Sequence, residues 1–287
     1  MSTGIAAYIE ERHLLIERAL HSRLPVSHFA GAERLNEAVA YAVLGGGKRM
    51  RPVLAMLAAG ICGAPPEAAL PVGCALEFVH AASLALDDLP AMDDAALRRG
   101  RPALHLRHGQ DMAILAAVAL LNEAYAIFSD VPGLVCRAIR EIGVNGMVGG
   151  QAADLRDSHS PGRMEKTTAL TRLTMIAGAA AAGAGAADAD ALAAFGHALG
   201  EAYQICDDIA DAAAREFELG KTAGQDRRHG RSNLVAEVGA AAACKHAHDI
   251  AERACHRLRA AFGDRPETAL LEEFARSIVE RGLLLVR

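Results

Sequence analysis

Bulky aromatic side chains are scarce in this chain. Its 287 residues include no tryptophan, four tyrosines and seven phenylalanines, although 52% of the residues are hydrophobic. Alanine makes up much of that fraction, and alanine has the highest helix propensity and lets helix backbones approach closely. This composition indicates a core of helices packed on helices, and we find no alternating strand pattern that competes with it.

Targeting and membrane signals are also lacking. We find no apolar run that reaches the roughly 18 residues of a membrane-spanning helix, and therefore expect no span. The first helix carries Glu10, Glu11 and Glu17, unlike a secretion signal or a transit peptide. The six cysteines are scattered without close pairing or zinc-ligand spacing, which predicts reduced thiols in a cytoplasm. The net charge of −5 argues against nucleic acid as a partner.

Helical periodicity and helix breakers divide the chain into successive helices. The predicted helices cover residues 4–21, 32–44, 52–61, 67–89, 109–128, 134–156, 164–183, 188–214, 233–262 and 266–283. No linker separates them, so we expect one domain over residues 1–287. The predicted fold class is all-α.

Acidic residues gather at the end of the fourth predicted helix. Asp87, Asp88, Asp93 and Asp94 lie within eight positions and follow the almost wholly apolar segment 74–86. An acidic run is often only a solvated surface turn, but carboxylates that emerge from a buried helix indicate the mouth of a cavity. Crowded carboxylates raise one another's pKa unless a cation joins them, and all-oxygen ligands suit Mg²⁺. The stretch therefore predicts a magnesium site.

Basic residues follow this cluster directly. They are Arg98, Arg99 and Arg101. Guanidinium groups suit phosphate oxygens, so the order of charges predicts a carboxylate–metal–phosphate–arginine arrangement.

A second acidic cluster lies about 120 positions later. Residues 204–211 read QICDDIAD on an apolar helical background. Asp207 and Asp211 are four positions apart and share one helix face, with Asp208 beside them. Two such clusters, each at the end of an apolar helix, predict carboxylates that face each other across one cavity.

Several motifs in a fixed order resemble those of the trans-isoprenyl diphosphate synthases. The similar segments are DDLPAMD (87–93), DDIAD (207–211), GGGKRMRP (45–52), MVGGQAADL (147–155), Lys166–Thr167 and LGKTAGQD (219–226). The resemblance runs from about residue 37 to residue 232. Within the family it is strongest to bacterial geranylgeranyl diphosphate synthases of carotenoid-type gene clusters. It implies one large helical bundle with a central cavity, usually a homodimer.

The resemblance implies a reaction and a metal site. An allylic diphosphate (dimethylallyl, geranyl or farnesyl) ionises, its C1 is attacked by the double bond of isopentenyl diphosphate, and a proton is lost. Mg²⁺, three ions with substrate bound, would assist the departure of pyrophosphate. The implied metal ligands are Asp87, Asp88, Asp93, Asp207, Asp208 and Asp211. Asp94 matches no family ligand as firmly.

The resemblance also assigns the two diphosphates to separate residues. The implied isopentenyl diphosphate contacts are Lys48, Arg51, His80 and Arg99. The implied allylic diphosphate contacts are Arg98, Lys166, Gln204 and Lys221, of which the three cationic residues are counted as catalytic with the aspartates.

For several neighbouring residues a functional role and a purely structural role both stay open. Arg49 and Arg101 fit solvated loop residues equally well, and Gln151 fits an ordinary helix-face amide. Thr167, Thr222 and Asp154 are supporting candidates.

Product length is predicted from Ala82 and Ser83, five and four positions before Asp87. They lie about 6–7.5 Å along the helix from the metal site. Farnesyl-producing bacterial relatives carry an aromatic residue at the first of these positions. The small residues here imply growth past fifteen carbons to twenty, with bulk farther along, such as Phe78 or the 109–128 helix, ending it. Ala82 as a plain packing residue is the alternative.

Three other functions stay open at this stage. A farnesyl diphosphate synthase of the same family differs only in product length. A terpene cyclase would not need Lys48, Arg51, His80 and Arg99 together. A non-catalytic partner subunit would be expected to lack one aspartate cluster.

Overall fold

Helices make up nearly all the secondary structure of this computed structural model, which describes residues 4–156, 161–213 and 234–286. The helices are α1 (Ile5–Ser22), α2 (Glu33–Leu44), α3 (Met50–Ile61), α4 (Leu70–Asp87), α5 (Leu104–His108), α6 (Gln110–Ser129), α7 (Leu134–Ile142), α8 (Met147–Arg156), α9 (Glu165–Ala181), α10 (Ala186–Ala213), α11 (Leu234–Val238), α12 (Ala240–Phe262) and α13 (Pro266–Val286). Short 3₁₀ turns, Pro66–Ala69 and Pro161–Met164, precede α4 and α9. The prediction of an all-α fold is confirmed.

Helix α4 lies inside the bundle. Pro71 lies in its first turn, where the missing N–H costs no hydrogen bond, and twelve of its residues are buried. It packs against α3, α6 and α9, among other helices. Because α4 is apolar on most sides, its few polar residues, Glu77, His80, Ser83 and the terminal Asp87, stand out against the core.

Helix α9 joins α4 to α10 and packs against both. Its close contact with α3 depends on Gly178, where an added Cβ would lie 2.3 Å from the carbonyl oxygen of Ala55. Buried apolar residues from α1 to α13 form one continuous cluster. A single domain over residues 1–287 stays a prediction.

The structure divides two predicted helices and adds a hairpin. The predicted helix 134–156 is two helices, α7 and α8, because the chain turns through residues 143–146, which begin and end with glycine. The predicted helix 233–262 is likewise divided at Gly239, whose φ is +82°. Two two-residue strands, β1 (Leu97–Arg98) and β2 (Arg101–Pro102), pair antiparallel where no strand was expected.

Two helical segments are long and apolar enough to cross a membrane by length and composition alone, so the absence of a span stays a prediction. They are Pro66–Asp87 and Gln110–Ser129. Core helices of globular proteins pass the same test, and 67% of the apolar window in the first segment is buried within the bundle. In the second segment only 39% of the apolar window is buried, which leaves an apolar face of α6 exposed.

Candidate active site

The C-terminal end of α4 brings three aspartates together. Asp87 is the last residue of the helix and Asp88 is its C-cap. The chain then turns back, and the Asp93 N–H donates to the Asp87 carbonyl at 2.9 Å while the Ala95 N–H donates to the Asp88 carbonyl at 3.2 Å. The turn thus places the backbone of Asp93 beside the end of the helix.

Asp88 is paired with Arg98. The Asp88 carboxylate is 2% exposed, and the guanidinium of Arg98 donates to it from Nη2 and, at 3.1 Å, from Nε. Burial alone would lower the pKa of Arg98, but Asp88, Asp87 and Asp93 together raise it. The β1–β2 hairpin therefore holds a fixed cation against the first acidic cluster.

Asp87 is paired with Lys166, which lies in the first turn of α9. Lys166 Nζ is 3.6 Å from Asp87 Oδ2 and 3.3 Å from Asp154 Oδ2. Burial is the main cause that raises the pKa of Asp87, to about 6. The negative charges of Asp93 and Asp88 also raise this pKa, whereas the positive charge of Lys166 lowers it. Burial would lower the pKa of Lys166, but Asp87 and Asp154 raise it. The ammonium group therefore stays charged between two carboxylates.

Gly150 permits this arrangement. A Cβ at Gly150 on α8 would lie 2.2 Å from the backbone nitrogen of Lys166. No side chain fits there, because backbone atoms cannot move aside as the end of a flexible side chain can. The close approach of α8 to the start of α9 brings Asp154, one turn after Gly150, within reach of Lys166.

The second acidic cluster connects to the same turn of α9. Thr167 Oγ1 lies 2.6 Å from Gln204 Oε1 and donates to it, and Gln204 Nε2 donates to Asp208 Oδ1 at 2.8 Å. Asp208 is buried and also faces Arg163 at 3.5 Å. Since Lys166 contacts the first cluster and Thr167 is linked to Asp208 of the second through Gln204, one turn of α9 joins the two.

Basic residues lie near His80 and in the loop that joins α2 to α3, and we call Lys48, Arg51, His80 and Arg99 the basic pocket. Lys48 is exposed, and the Nε of Arg51 is buried without a hydrogen-bond partner among the described residues. The guanidinium of Arg99 donates to the carbonyl of Gly46. An added Cβ at Gly47, whose φ is +135°, would lie 3.0 Å from that guanidinium. Glycine at this position therefore leaves room for Arg99.

His80 is uncharged in this pocket. Burial lowers the pKa of His80 well below its usual range, and the charges of Arg51 and Arg99 lower it further. A neutral imidazole can still donate one hydrogen bond to an anion. His80 lies two turns before Asp87 on α4, so this helix carries one residue of the basic pocket and the start of the first acidic cluster.

Comparisons with known proteins agree with this geometry. A family model described as polyprenyl synthetase matches residues 32–263 of the chain. The chain belongs to the polyprenyl synthetase family. It is accordingly a prenyltransferase.

Individual relatives support the family assignment. The chain is 38% identical over 247 residues to the heterodimeric geranylgeranyl pyrophosphate synthase large subunit 1 of Arabidopsis thaliana, covering 78% of this chain and 66% of that protein. It is 38% identical over 242 residues to a geranylgeranyl diphosphate synthase of Pantoea ananas, covering 78% of each.

Solved structures share the fold. An FPP/GFPP synthase of Zymomonas mobilis superposes with a TM-score of 0.82 at 32% identity, over 97% of this chain and 100% of that one. A polyprenyl synthase of Caulobacter crescentus, complexed with calcium and isoprenyl diphosphate, superposes with a TM-score of 0.84 at 26% identity, over 97% of this chain and 98% of that one. The fold is the helical bundle of polyprenyl synthases.

The acidic residues of this polyprenyl synthetase fit a hard divalent cation by chemistry, but they are not gathered around a single point. Among the side chains that the structure describes, no group of three or more His, Cys, Asp or Glu residues is close enough to hold one ion. Asp87 and Asp88 point at Lys166 and Arg98, and Asp208 is bonded to Gln204. The donors are oxygens only, which suits Mg²⁺ or Ca²⁺.

Two assigned residues lie outside this description. Lys221 falls in the segment 214–233, beyond the described residues, together with Thr222. The backbone of Asp211 belongs to α10, but its side chain is also outside the described set. Their assigned roles stay predictions.

The residues assigned to product length differ in exposure. Ala82 is fully buried in the core. Ser83 is partly exposed, and its Oγ donates to the His80 carbonyl at 2.9 Å. Of the two residues, Ser83 is the one that presents surface on the side of α4 near His80 and Asp87.

Sequence reasoning missed three contacts and left open two residues that the structure places. Arg163 faces Asp208 across 45 positions of sequence, and no local pattern indicates such a pair. Glu17 and Glu77 both bind Arg49, which is 3% exposed rather than a solvated loop residue. Arg101, the other residue left open, stacks over the ring of Tyr41 at 3.9 Å.

Proposed function

We propose that this chain is a Mg²⁺-dependent prenyltransferase that joins isopentenyl diphosphate to an allylic diphosphate and makes mainly geranylgeranyl diphosphate. The observation that carries the proposal is the turn of α9 in which Lys166 contacts the first acidic cluster and Thr167 is linked through Gln204 to Asp208 of the second. It supports a single anionic site built from two distant motifs. The basic pocket two turns away along α4 supplies room for a second diphosphate.

The metal-binding residues in this proposal are Asp87, Asp88, Asp93, Asp207, Asp208 and Asp211. Mg²⁺ bound there supplies Lewis-acid stabilisation of the departing pyrophosphate. The described carboxylates now face Lys166, Arg98 and Arg163 instead of one common point. These cations compensate the negative charge in the protein without metal, and we expect them to turn toward diphosphate oxygens when metal and substrate bind. Three ions is the number that we propose with substrate bound.

The allylic diphosphate is placed against Arg98, Lys166, Gln204 and Lys221. Arg98 and Lys166 already lie against the first acidic cluster, so a diphosphate that bridges metal and cation needs little rearrangement of the backbone. Their positive charges also favour the developing charge on the leaving group.

Isopentenyl diphosphate is placed against Lys48, Arg51, His80 and Arg99. The buried, unpartnered Nε of Arg51 supports this placement, because a buried donor left without a partner is costly and an anion would satisfy it. Neutral His80 adds a hydrogen bond without adding charge.

A homodimer is proposed on the exposed face of α6. Ile114, Leu115 and Val118 are 44%, 48% and 50% exposed and lie on one side of the helix. They lie in the apolar window of α6, of which only 39% is buried within the chain. A second copy that covers this face would bury it, as isologous dimers do. We also propose that the enzyme is cytoplasmic, with no nucleic-acid partner and no membrane span.

Farnesyl diphosphate synthesis is the second candidate, because the Zymomonas mobilis neighbour is named an FPP/GFPP synthase. Product analysis separates the candidates. The purified chain is incubated with Mg²⁺, isopentenyl diphosphate and dimethylallyl, geranyl or farnesyl diphosphate in turn, and products are identified by chromatography after dephosphorylation. We expect twenty-carbon product from all three primers and none in EDTA.

Each other outcome contradicts the proposal in a different way. A main product of fifteen carbons supports the farnesyl alternative. Consumption of allylic diphosphate without isopentenyl diphosphate indicates a terpene cyclase. No product from the chain alone indicates a non-catalytic partner subunit.

A further inference from the structure

Arg49 is buried, although the loop residues 46–48 directly before it are exposed to solvent. It is 3% exposed, whereas Lys48 directly before it is exposed. Its φ of 47° places it in the left-handed region, which non-glycine residues adopt only when surrounding contacts hold them there. This backbone conformation occurs at the N-cap of α3, where the chain turns from loop into helix.

The contacts that hold Arg49 come from three helices. Its Nε and Nη2 donate to the two carboxylate oxygens of Glu17 on α1, at 2.6 and 3.3 Å. Its Nη1 donates to Glu77 on α4 at 3.2 Å, and Nη2 also donates to the Val43 carbonyl on α2 at 2.9 Å. A guanidinium presents its donors in a rigid plane, so these bonds fix both the position and the orientation of the loop.

The loop that is fixed in this way carries the basic pocket. Lys48 precedes Arg49 and Arg51 follows it by two residues. Glu77, the partner of Arg49 on α4, lies one turn before His80. The Arg49–Glu77 pair therefore ties the loop to the same turn of α4 that bears His80, and sets the distance between the loop cations and the imidazole.

Glu77 also supplies counter-charge. It is 4% exposed, and its negative charge acts on Arg51 and Arg99 as well as on Arg49. Burial lowers the pKa of Arg51 and Arg99, and Glu77 opposes this change. The cations of the pocket can thus lie close together before any anion is bound.

We infer that Arg49, clamped by Glu17 and Glu77, is a positioning residue that holds Lys48 and Arg51 in place for isopentenyl diphosphate without touching that substrate. The inference rests on the proposed function, because it takes the basic pocket to be the isopentenyl diphosphate site.

The test uses two substitutions and two measurements. Arg49→Ala removes the clamp, but it leaves Glu77 buried without its partner and risks unfolding. Glu17→Gln is the milder variant, because Glu17 lies on α1, is partly exposed and leaves the Arg49–Glu77 bond in place. Steady-state KM is measured for each substrate in turn, and isopentenyl diphosphate affinity is measured by calorimetry in EDTA, where no turnover occurs.

Arg49→Ala is expected to raise the KM and the Kd for isopentenyl diphosphate by about 10-fold or more, because a displaced Lys48 or Arg51 loses about one charge-assisted hydrogen bond to the substrate. Glu17→Gln is expected to raise both by a smaller factor, with kcat and the allylic KM little changed in each case. Arg49→Lys should recover part of the affinity, since it retains the charge but not the planar fork. Arg259→Ala is the matched control, because it breaks an arginine bond to the buried carboxylate of Glu272 between α12 and α13.

The possible failures are distinguishable. If the wild-type chain neither binds nor elongates isopentenyl diphosphate, the proposed function falls and the inference falls with it. If the wild type binds and Glu17→Gln lowers only the melting temperature, as Arg259→Ala should, the inference alone is overturned. Equal increases in the KM of both substrates overturn it as well.

Discussion

At the scale of single residues, the site is a balance of close opposite charges. Asp87, Asp88 and Asp93 crowd at the end of α4, and Lys166 and Arg98 lie against them. Removing one carboxylate from such a cluster relieves repulsion as well as losing a partner. Effects on turnover and on stability are therefore expected to diverge.

Asp87→Ala and Asp207→Ala are each expected to reduce kcat by orders of magnitude, the first more severely, without unfolding the protein. Each removes a proposed metal ligand, and Asp87 also orients Lys166. The measurements are turnover at saturating Mg²⁺ and far-ultraviolet circular dichroism. A well-folded Asp87→Ala variant with near wild-type turnover would disprove the metal assignment.

The raised pKa of Asp87 predicts how stability depends on pH in EDTA. Its folded-state pKa is about 6, against 3.8 for an aspartate carboxyl in water. At pH 7.5 the ionised group therefore lowers the free energy of unfolding, on the order of 1–3 kcal/mol. This loss shrinks as pH falls through 6 toward 4, because the folded protein takes up the proton first.

Asp87→Asn removes that titration. We expect the variant to melt at a higher temperature than the wild type at pH 7.5 in EDTA, and the difference to be smaller at pH 5. Asp94→Asn, at an exposed position, is the control. An equal gain at both pH values would show that Asp87 is not the titrating group.

Substitutions in the basic pocket should separate the two substrates. Lys48→Ala, Arg51→Ala and His80→Ala are each expected to raise the KM for isopentenyl diphosphate by roughly 10- to 100-fold, the value of a charge-assisted hydrogen bond. The smaller effect is expected for His80, since its imidazole is neutral. Kinetics with each substrate varied in turn measure this, and equal effects on both KM values would mean that the pocket is wrongly assigned.

At the scale of elements, α4 carries His80, Asp87 and the residues assigned to product length. Its buried face includes Phe78 and Ala82, neither of which is exposed to solvent. A large residue at position 82 must therefore displace its neighbours, which typically costs about 1–3 kcal/mol. Ser83 is partly exposed, so bulk added there overpacks the core less than bulk added at position 82.

Ser83→Phe is accordingly expected to shift the main product from twenty carbons toward fifteen while elongation of dimethylallyl diphosphate continues. Ala82→Tyr, the change that the sequence motif suggests, is expected to shift product length in the same direction but to lower the melting temperature more. Ser83→Ala is the control for loss of the bond to the His80 carbonyl. Unchanged twenty-carbon product from both bulky variants would refute the idea that growth passes this turn of α4.

At the scale of the whole molecule, the apolar face of α6 predicts association of two copies. The double substitution Ile114→Glu and Val118→Glu is expected to convert a dimer to a monomer in sedimentation experiments. Leu14→Glu, at a residue of α1 that is 59% exposed, should leave the dimer intact. A monomeric wild type, or a dimer that survives both glutamates, would contradict the proposed interface.

The amino-acid sequence by itself determined the helical class, most helix boundaries and the members of both aspartate clusters. These features are local: periodicity, glycine and proline breaks, and motifs a few residues long carry the information. The division between α7 and α8 escaped because the glycines at 143 and 146 interrupt a segment that is otherwise apolar enough to continue.

Only the tertiary structure decided which charges meet. Arg49 lies 32 positions from Glu17 and 28 from Glu77, and Arg163 lies 45 positions from Asp208, so no spacing rule could pair them. The burial of Ala82 and the partial exposure of Ser83 likewise depend on how α4 is turned against its neighbours. Local sequence sets which groups are present on a helix, whereas packing between distant helices sets which of them lose water and which partner each one finds.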